Sequence, residues 1–548
     1  MVLGSFLLFL SVSMRIIITQ VCYNIRMMGF LKEQKYLFKP FLIISLIYLL
    51  GILTIVLANT HYADDAARTN YGYAGWSAFS RYISTFLSHA VHADNYLANI
   101  APLPQILATL ILAVSSIVVI CVVSGKDIFK REWTQWVLKV IAVVPLGLCP
   151  YMLECLSYQY DSIYMALSVF FAVMPFIFYR QENWKFVLAS IVGVLGVCMT
   201  YQASIGIYPM LTIFICMKDW NNKTFKNKII IKKTILAAVV FSLTLLFFQK
   251  VLMQTQDIYV SNTLPDITEI IPSTFSHLVH YFELLIQDFR LLWLVTIGII
   301  MVMFIVLFAL RSKQPKILSM VVGLIGLILM GAMAYLFYAV LEKPLYTTRA
   351  MYAVGTLIAI LSLYVVSGGI VKKYDKTISN KKSEAKLHMS IKVNELWLAI
   401  PVVVIFWCFF SFSFVYGNAL HEQESFRNMQ VDMVIADLNQ ILLDDTPRKI
   451  QTVGQIGFAP TIEHMPAGDY YIVKRLLKSS YGSDVPWMAY RLKEASGIRG
   501  LLYDLRFDGE KAIPNLPMVK TTNLYNIYAE GDSVVVDFKG KEFSVWEN

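Results

Sequence analysis

The chain has 548 residues, 57% hydrophobic and only 15% charged, against about 25% charged in water-soluble domains, which excludes an ordinary soluble enzyme. The formal charge of +10 is not a nucleic-acid footprint, because no soluble segment carries a basic stripe interleaved with aromatics. The seven cysteines show no CxxC spacing and none lies beyond Asn418, which argues against a disulfide framework or a cysteine-rich metal site.

Residues 1–40 read as a cytoplasmic or interfacial N-terminal segment. Met1–Val12 is apolar but too short to span, and Arg15 and Arg26 interrupt the residues after it. Translation starting at Met27 or Met28 is the alternative reading. A signal peptide is disfavoured because the positive charges come after the apolar run instead of preceding it. Eleven apolar runs come next: Phe41–Ala58, Ala101–Val123, Val137–Met152, Ser162–Phe178, Phe186–Met199, Ile205–Met217, Thr234–Phe248, Leu291–Leu310, Ile317–Val340, Tyr352–Val371 and Leu396–Tyr416. A bilayer core of about 30 Å is crossed by such runs, and inside lipid the backbone must satisfy itself, so they are predicted to be helices. They do not alternate as barrel strands would. The fifth and sixth are short and meet at Tyr201-Gln202-Ala203-Ser204, the pattern of a hairpin.

Lysine and arginine collect in cytoplasmic loops. Alternate connections, Gly125–Gln135, Arg180–Lys185, Lys218–Lys233, Arg311–Lys316 and Lys372–Glu395, are basic, with six lysines between Lys218 and Lys233 and seven between Lys372 and Lys392. The opposite connections hold only Arg68, Arg81, Lys250, Arg290, Lys343 and Arg349. The amino terminus is therefore expected inside and, with an odd number of spans, the tail outside. In that tail, residues 417–548, Phe426, Met429, Met433, Leu438, Ile441 and Leu442 fall on one helical face. Ile450–Gly457, Leu524–Tyr528 and Ser533–Phe538 read as strands. A small α/β domain standing on the outer surface is predicted.

Two outer connections, 59–100 and 251–290, are long, which suggests that a site was built there. Three polar clusters share their depth: Asp64-Asp65 with Arg68, Glu154 through Asp161, and Lys343 through Arg349. A carboxylate can take a proton from a hydroxyl nucleophile, and an arginine can hold a phosphate as it leaves. The set suits a lipid substrate that carries a phosphate. Blander readings exist for each part. Asp64-Asp65 fits a solvated turn, Asp161 a helix cap, Arg349 a snorkelling headgroup anchor, and Trp76 and Tyr73 an interfacial aromatic belt. His61 near Asp64 and Asp65 fits a metal ligand, but nothing fixes a geometry; His89 and His92 read as loop surface.

The stretches Tyr62-Ala63-Asp64-Asp65, Tyr71-Gly72-Tyr73-Ala74-Gly75-Trp76, Ile100-Ala101-Pro102-Leu103-Pro104-Gln105, Pro150-Tyr151-Met152-Leu153-Glu154 and Tyr158-Gln159-Tyr160-Asp161-Ser162 occur in an order that resembles the GtrII family of bacterial glucosyltransferases. The resemblance runs from about Lys35 to Tyr416 and is densest in the first 180 residues. It implies a polytopic α-helical membrane protein of the GT-C type, with a transmembrane catalytic domain over 41–416, in a bacterial cell membrane. Such an enzyme takes a sugar from a polyprenyl phosphate, usually undecaprenyl-phosphate glucose, and passes it with inversion to a cell-surface glycan. Carried over by position, Asp64 or Asp65 would be the general base, and Glu154 and Asp161 would orient the acceptor or support that base. Arg349 fits a phosphate-binding role on its chemistry, Tyr73 and Trp76 would stack on a sugar ring, and Arg68, Tyr158 and Gln159 are further substrate-binding candidates. No cofactor is firmly implied; a divalent metal, magnesium or manganese, stays open. The competing readings are a lipid-linked glycan transporter or flippase, disfavoured because the spans hold almost no internal charge, and a polysaccharide polymerase or ligase, which shares the outer-face chemistry.

Overall fold

The apolar runs are helical in the computed structural model, which describes residues 27–254, 263–367, 395–478, 487–504 and 507–540. Most of the N-terminal segment and the lysine-rich loop after Lys372 lie outside the described residues. The first run is α1 (Met27–Gly51) followed by α2 (Leu53–Ala58). The first long loop folds into α3 (Asp65–Tyr71) and a helix over Tyr82–His92. Then come α4 (Leu103–Ser124), α5 (Pro150–Ser157), α6 (Ser162–Val173), α7 (Ile270–Asp288) and α8 (Leu291–Leu310). The tail holds α9 (Glu395–Ile441), α10 (Ala467–Lys478) and α11 (Trp487–Ser496).

Among the described residues, six helices are long and apolar enough to cross a membrane: Leu103–Ser124, Asn183–Thr200, Asn227–Leu252, Leu291–Leu310, Lys316–Met333 and Trp397–Ile441. A seventh arises if Gln135–Leu148 and Pro150–Ser157, bent by 59°, count as one span. The other runs of the eleven fall in shorter helices such as Tyr36–Gly51, Ser162–Ile177 and Ala353–Val366. The bend has a local cause. Pro150 disfavours the helical conformation in the residue before it, and Cys149 sits at ψ 138°. Apolar side chains such as Leu292, Val295, Ile299, Val302 and Val306 of α8 point away from the protein, as lipid contact requires.

The helix α9 is one unbroken element of 47 residues, about 70 Å long at 1.5 Å per residue. Gly417, where the tail was expected to begin, lies inside it. Any side chain there would collide with Thr54 of α2, so the glycine is what lets the two helices pack closely. Beyond Gly417 the buried face is Val431, Val434, Leu438 and Leu442, while Met429 and Met433 are exposed. The apolar stripe is thus rotated from the one predicted, because Val431 and Val434 hold the inward phase.

The tail folds α9 against a five-stranded sheet of order β2-β1-β5-β4-β3, in which β1 is Arg448–Gln455, β2 Leu501–Tyr503, β3 Met518–Thr521, β4 Tyr525–Glu530 and β5 Ser533–Lys539. β1 runs parallel to both β2 and β5, with Ile450 opposite Val534. Ile450, Ile527, Val534, Val536 and Phe538 form its core with Val434 and Leu438. The tail does not merely stand on the surface, however. Phe458, Ala459, Ile462, Ile472, Val473, Leu476 and Leu477 are buried in the same apolar cluster as the helical bundle.

Candidate active site

The first acidic motif is built on a strained turn. Ala63 has φ +47°, a left-handed conformation that costs an L residue about 1–2 kcal/mol, and it reverses the chain ahead of α3. Asp65 spends its carboxylate on this turn. One oxygen accepts the N–H of Tyr62 at 3.0 Å and of Gln159 at 2.9 Å, and the other faces the N–H of Tyr160 at 3.4 Å. The side chain is 0% exposed. Burial pushes its carboxyl well above the usual range, against the opposing pull of the Gln159 N–H.

Asp64 is different. Its side chain is 48% exposed, and Oδ2 lies 3.8 Å from Nη2 of Arg68, one helical turn away. Arg68 is buried between the two segments of the motif. Its Nε is 3.5 Å from Oδ2 of Asp161, Nη1 donates to the Ala74 carbonyl, and the guanidinium lies 4.1 Å from the Trp76 ring and 5.3 Å from that of Tyr73. Burial works against its charge, but Asp161 and Asp64 outweigh it and hold it above its ordinary value. Gly72, at φ +61°, ends α3 and turns residues 73–76 back over Arg68; a Cβ there would strike the Tyr96 ring.

Asp161 stands at the N-cap position of α6 yet makes no capping bond with its side chain. Its Oδ1 instead accepts the indole N–H of Trp76, so the helix-cap reading is set aside. Trp76 is fully buried, with its ring against Arg68, and holds this pair together; it is not a belt residue and offers no open face to a sugar. Tyr73 is 38% exposed and keeps one.

A second cluster adjoins the first. Glu154 on α5 is buried, with Oε1 3.5 Å from Nη1 of Arg349 and Oε2 accepting the hydroxyl of Thr348. Arg349 belongs to a short 3₁₀ turn, Thr348–Ala350, and its side chain is 21% exposed. It points inward at Glu154, contrary to a headgroup anchor. Tyr62, at the start of the first motif, meets the ring of Tyr158 edge-on at 4.9 Å. Tyr158 is itself buried. Gln159 ties loops, accepting from Asn99 at 2.7 Å and donating to Asn59 at 3.1 Å.

His61 does not face Asp64 or Asp65. Its Nε2 lies 3.3 Å from the Thr69 hydroxyl and 3.4 Å from the Asn99 amide. Burial, then Arg491 and Arg427, lower its pKa to about 4, so it is neutral at pH 7. Among the described residues no three His, Cys, Asp or Glu side chains converge as a metal site would need. His92 is half-buried and stacks on Tyr160 at 5.7 Å, which differs from a surface loop.

Sequence reasoning missed a third charged pair. Asp288, at the end of α7, accepts from the Tyr151 hydroxyl at 2.7 Å and is paired with Arg475 of α10, both fully buried. Asp288 had a signal, since it precedes a span at the same depth as the other clusters. Arg475 had none; it sits in no motif, and only the docking of the tail brings it here.

Residues 53–366, more than half of the chain, match the family described as Glucosyl transferase GtrII. That stretch carries Asp64, Asp65, Arg68, Glu154, Asp161, Asp288 and Arg349. A protein of Salmonella phage P22, described as an uncharacterized 55.3 kDa protein in the gtrB 5' region, is 25% identical over 193 residues, 35% of this chain and 37% of that protein. The similarity therefore spans little more than a third of the relative's length. No solved structure matches.

Proposed function

Because the chain belongs to the GtrII glucosyltransferase family, we propose that it is a membrane glycosyltransferase of the GT-C type with Asp64 as its general base. The carrying observation is the contrast between neighbours: Asp65 is committed to backbone N–H groups, while Asp64 is half exposed beside Arg68. A base must be reachable by the proton that it removes. Asp64 takes the proton of an acceptor hydroxyl, whose oxygen attacks the anomeric carbon of a hexose, glucose by the family's chemistry. The bond from that carbon to the phosphate oxygen breaks with inversion, and its electron pair leaves on a polyprenyl phosphate. Arg349, aimed by Glu154 and Thr348, holds the departing phosphate. Arg68, held by Asp161, orients Asp64, and Tyr73 offers its open face to the sugar.

The acceptor in this reading is a cell-surface glycan, and the reaction takes place on the extracytoplasmic face of a bacterial membrane. What supports that side is the lysine-poor character of the loops that carry the carboxylates. The amino terminus is then cytoplasmic and the sheet outside. The short apolar helices complete a bundle of about eleven spans within 41–416, the catalytic unit, and the sheet of the 417–548 tail lies beyond it.

The test is Asp64→Asn in membranes supplied with labelled polyprenyl-phosphate glucose. Transfer to glycan should fall at least about 100-fold, the usual worth of a general base, with insertion and thermal unfolding unchanged. Transfer within threefold of the parent protein overturns the reading.

A further inference from the structure

We infer that α10 of the tail is part of the reaction centre and that Arg475 is a positioning residue for Arg349; the inference rests on the glycosyltransferase reading above. Arg475 lies more than a hundred residues beyond the stretch matched to the family, which ends at residue 366. Its guanidinium grips the chain on both sides of Arg349. Nη2 donates to the carbonyl of Tyr346 at 2.7 Å and lies 4.0 Å from the Met351 sulfur. The enclosed residues, Thr348 and Arg349, are those that hold Glu154. Nη1 is meanwhile bonded to Asp288, which the Tyr151 hydroxyl also reaches. One planar fork therefore ties α7, α5 and the turn carrying Arg349, a geometry that the point charge of lysine does not reproduce.

The neighbouring residue adds a second tie. Tyr62 donates its hydroxyl to the carbonyl of Leu476, and Tyr62 opens the motif that contains Asp64. The same two residues of α10 thus touch the segment before the proposed base and the segment around the proposed phosphate arginine. Ile472, Val473, Leu476 and Leu477 bury the rest of that helix face in the bundle. Arg290 lies over the Tyr470 ring at 4.1 Å and fastens its beginning. An element that only anchored the sheet would need the apolar contacts alone.

The experiment compares the full-length protein with Arg475→Lys, Arg349→Lys and the double variant. Transfer from labelled polyprenyl-phosphate glucose is read as kcat and KM, alongside thermal unfolding and limited proteolysis of the tail. Arg475→Lys keeps the charge beside Asp288, so the tail should stay docked and the melting temperature close to that of the parent. Its kcat should fall about tenfold with KM changed less than threefold, because the lost geometry matters most as phosphate leaves. The double variant should be no slower than Arg349→Lys, since a residue that acts through another is not additive with it. An unchanged kcat, a loss that only tracks the melting temperature, or full additivity overturns the inference. If the parent protein itself transfers no sugar from this donor, it is the glycosyltransferase reading that has failed.

Discussion

Cations at the two ends of the helical bundle keep different company. At the lysine-rich end they bond to backbone carbonyls. Lys218 donates to Val123 and Val122 at the end of α4, at 2.6 and 3.3 Å. Arg311 donates to Tyr364 and Val365, Lys233 to Tyr179, and Lys316 to Leu310 and Ser312. These are helix C-termini, where a cation satisfies an orphan acceptor and meets the negative end of the dipole. At the other end guanidiniums meet buried carboxylates: Arg68 with Asp161, Arg349 with Glu154, Arg475 with Asp288. The lysines at the lysine-rich end therefore also finish helices. Buried ion pairs are expensive, and three of them gather at the other end. The division is not absolute, since Arg180 pairs with the buried Asp219 at 2.9 Å among the lysines.

The comparison predicts effects of graded size. Arg68→Gln strands Asp161 in a buried place without its cation, and should cost about 3–5 kcal/mol in thermal unfolding; a loss under about 1 kcal/mol would erase the contrast between the two ends. His61 gives a pH test. Its folded pKa, near 4, lies below the unfolded value, so its contribution is present above about 6.5 and is lost as pH falls toward 4. The loss is at most about 3 kcal/mol. His61→Asn should flatten the acid limb of a melting-temperature profile, and an unaltered limb would assign it to other groups. Lys218→Met removes a carbonyl cap and should cost about 1 kcal/mol with sugar transfer unchanged within twofold; a large loss of transfer would mean that the lysine-rich end also takes part in catalysis. Smallest is Ala63→Gly. Relief of the left-handed strain is offset by unfolded-state entropy, leaving a net gain below about 1 kcal/mol by thermal unfolding, and a marked destabilisation would refute the strain.

Much of this was legible in the amino acids. Apolar runs announce helices because lipid leaves the backbone no other partner, and Asp64, Glu154, Asp161 and Arg349 stood out as charges beside them. The choice between Asp64 and Asp65 was not legible. It depends on N–H groups of Gln159 and Tyr160, which are far along the chain. Pro145 and Pro150 were visible signs of a broken span, but a reading by apolarity passed over them. Trp76 looked like a sugar platform because aromatic character is local, whereas its contacts with Arg68 and Asp161 are not. The docking of α10 was hidden for the same reason: its apolar face is ordinary, and its partner Asp288 is nearly two hundred residues earlier.

The long helix α9 is a rod without a joint between the bundle and the sheet. Its Gly417 is wedged against Thr54 of α2, and α2 leads within a few residues to Ala63 and Asp64. A single helix and one close contact therefore connect the sheet to the segment that carries the carboxylate.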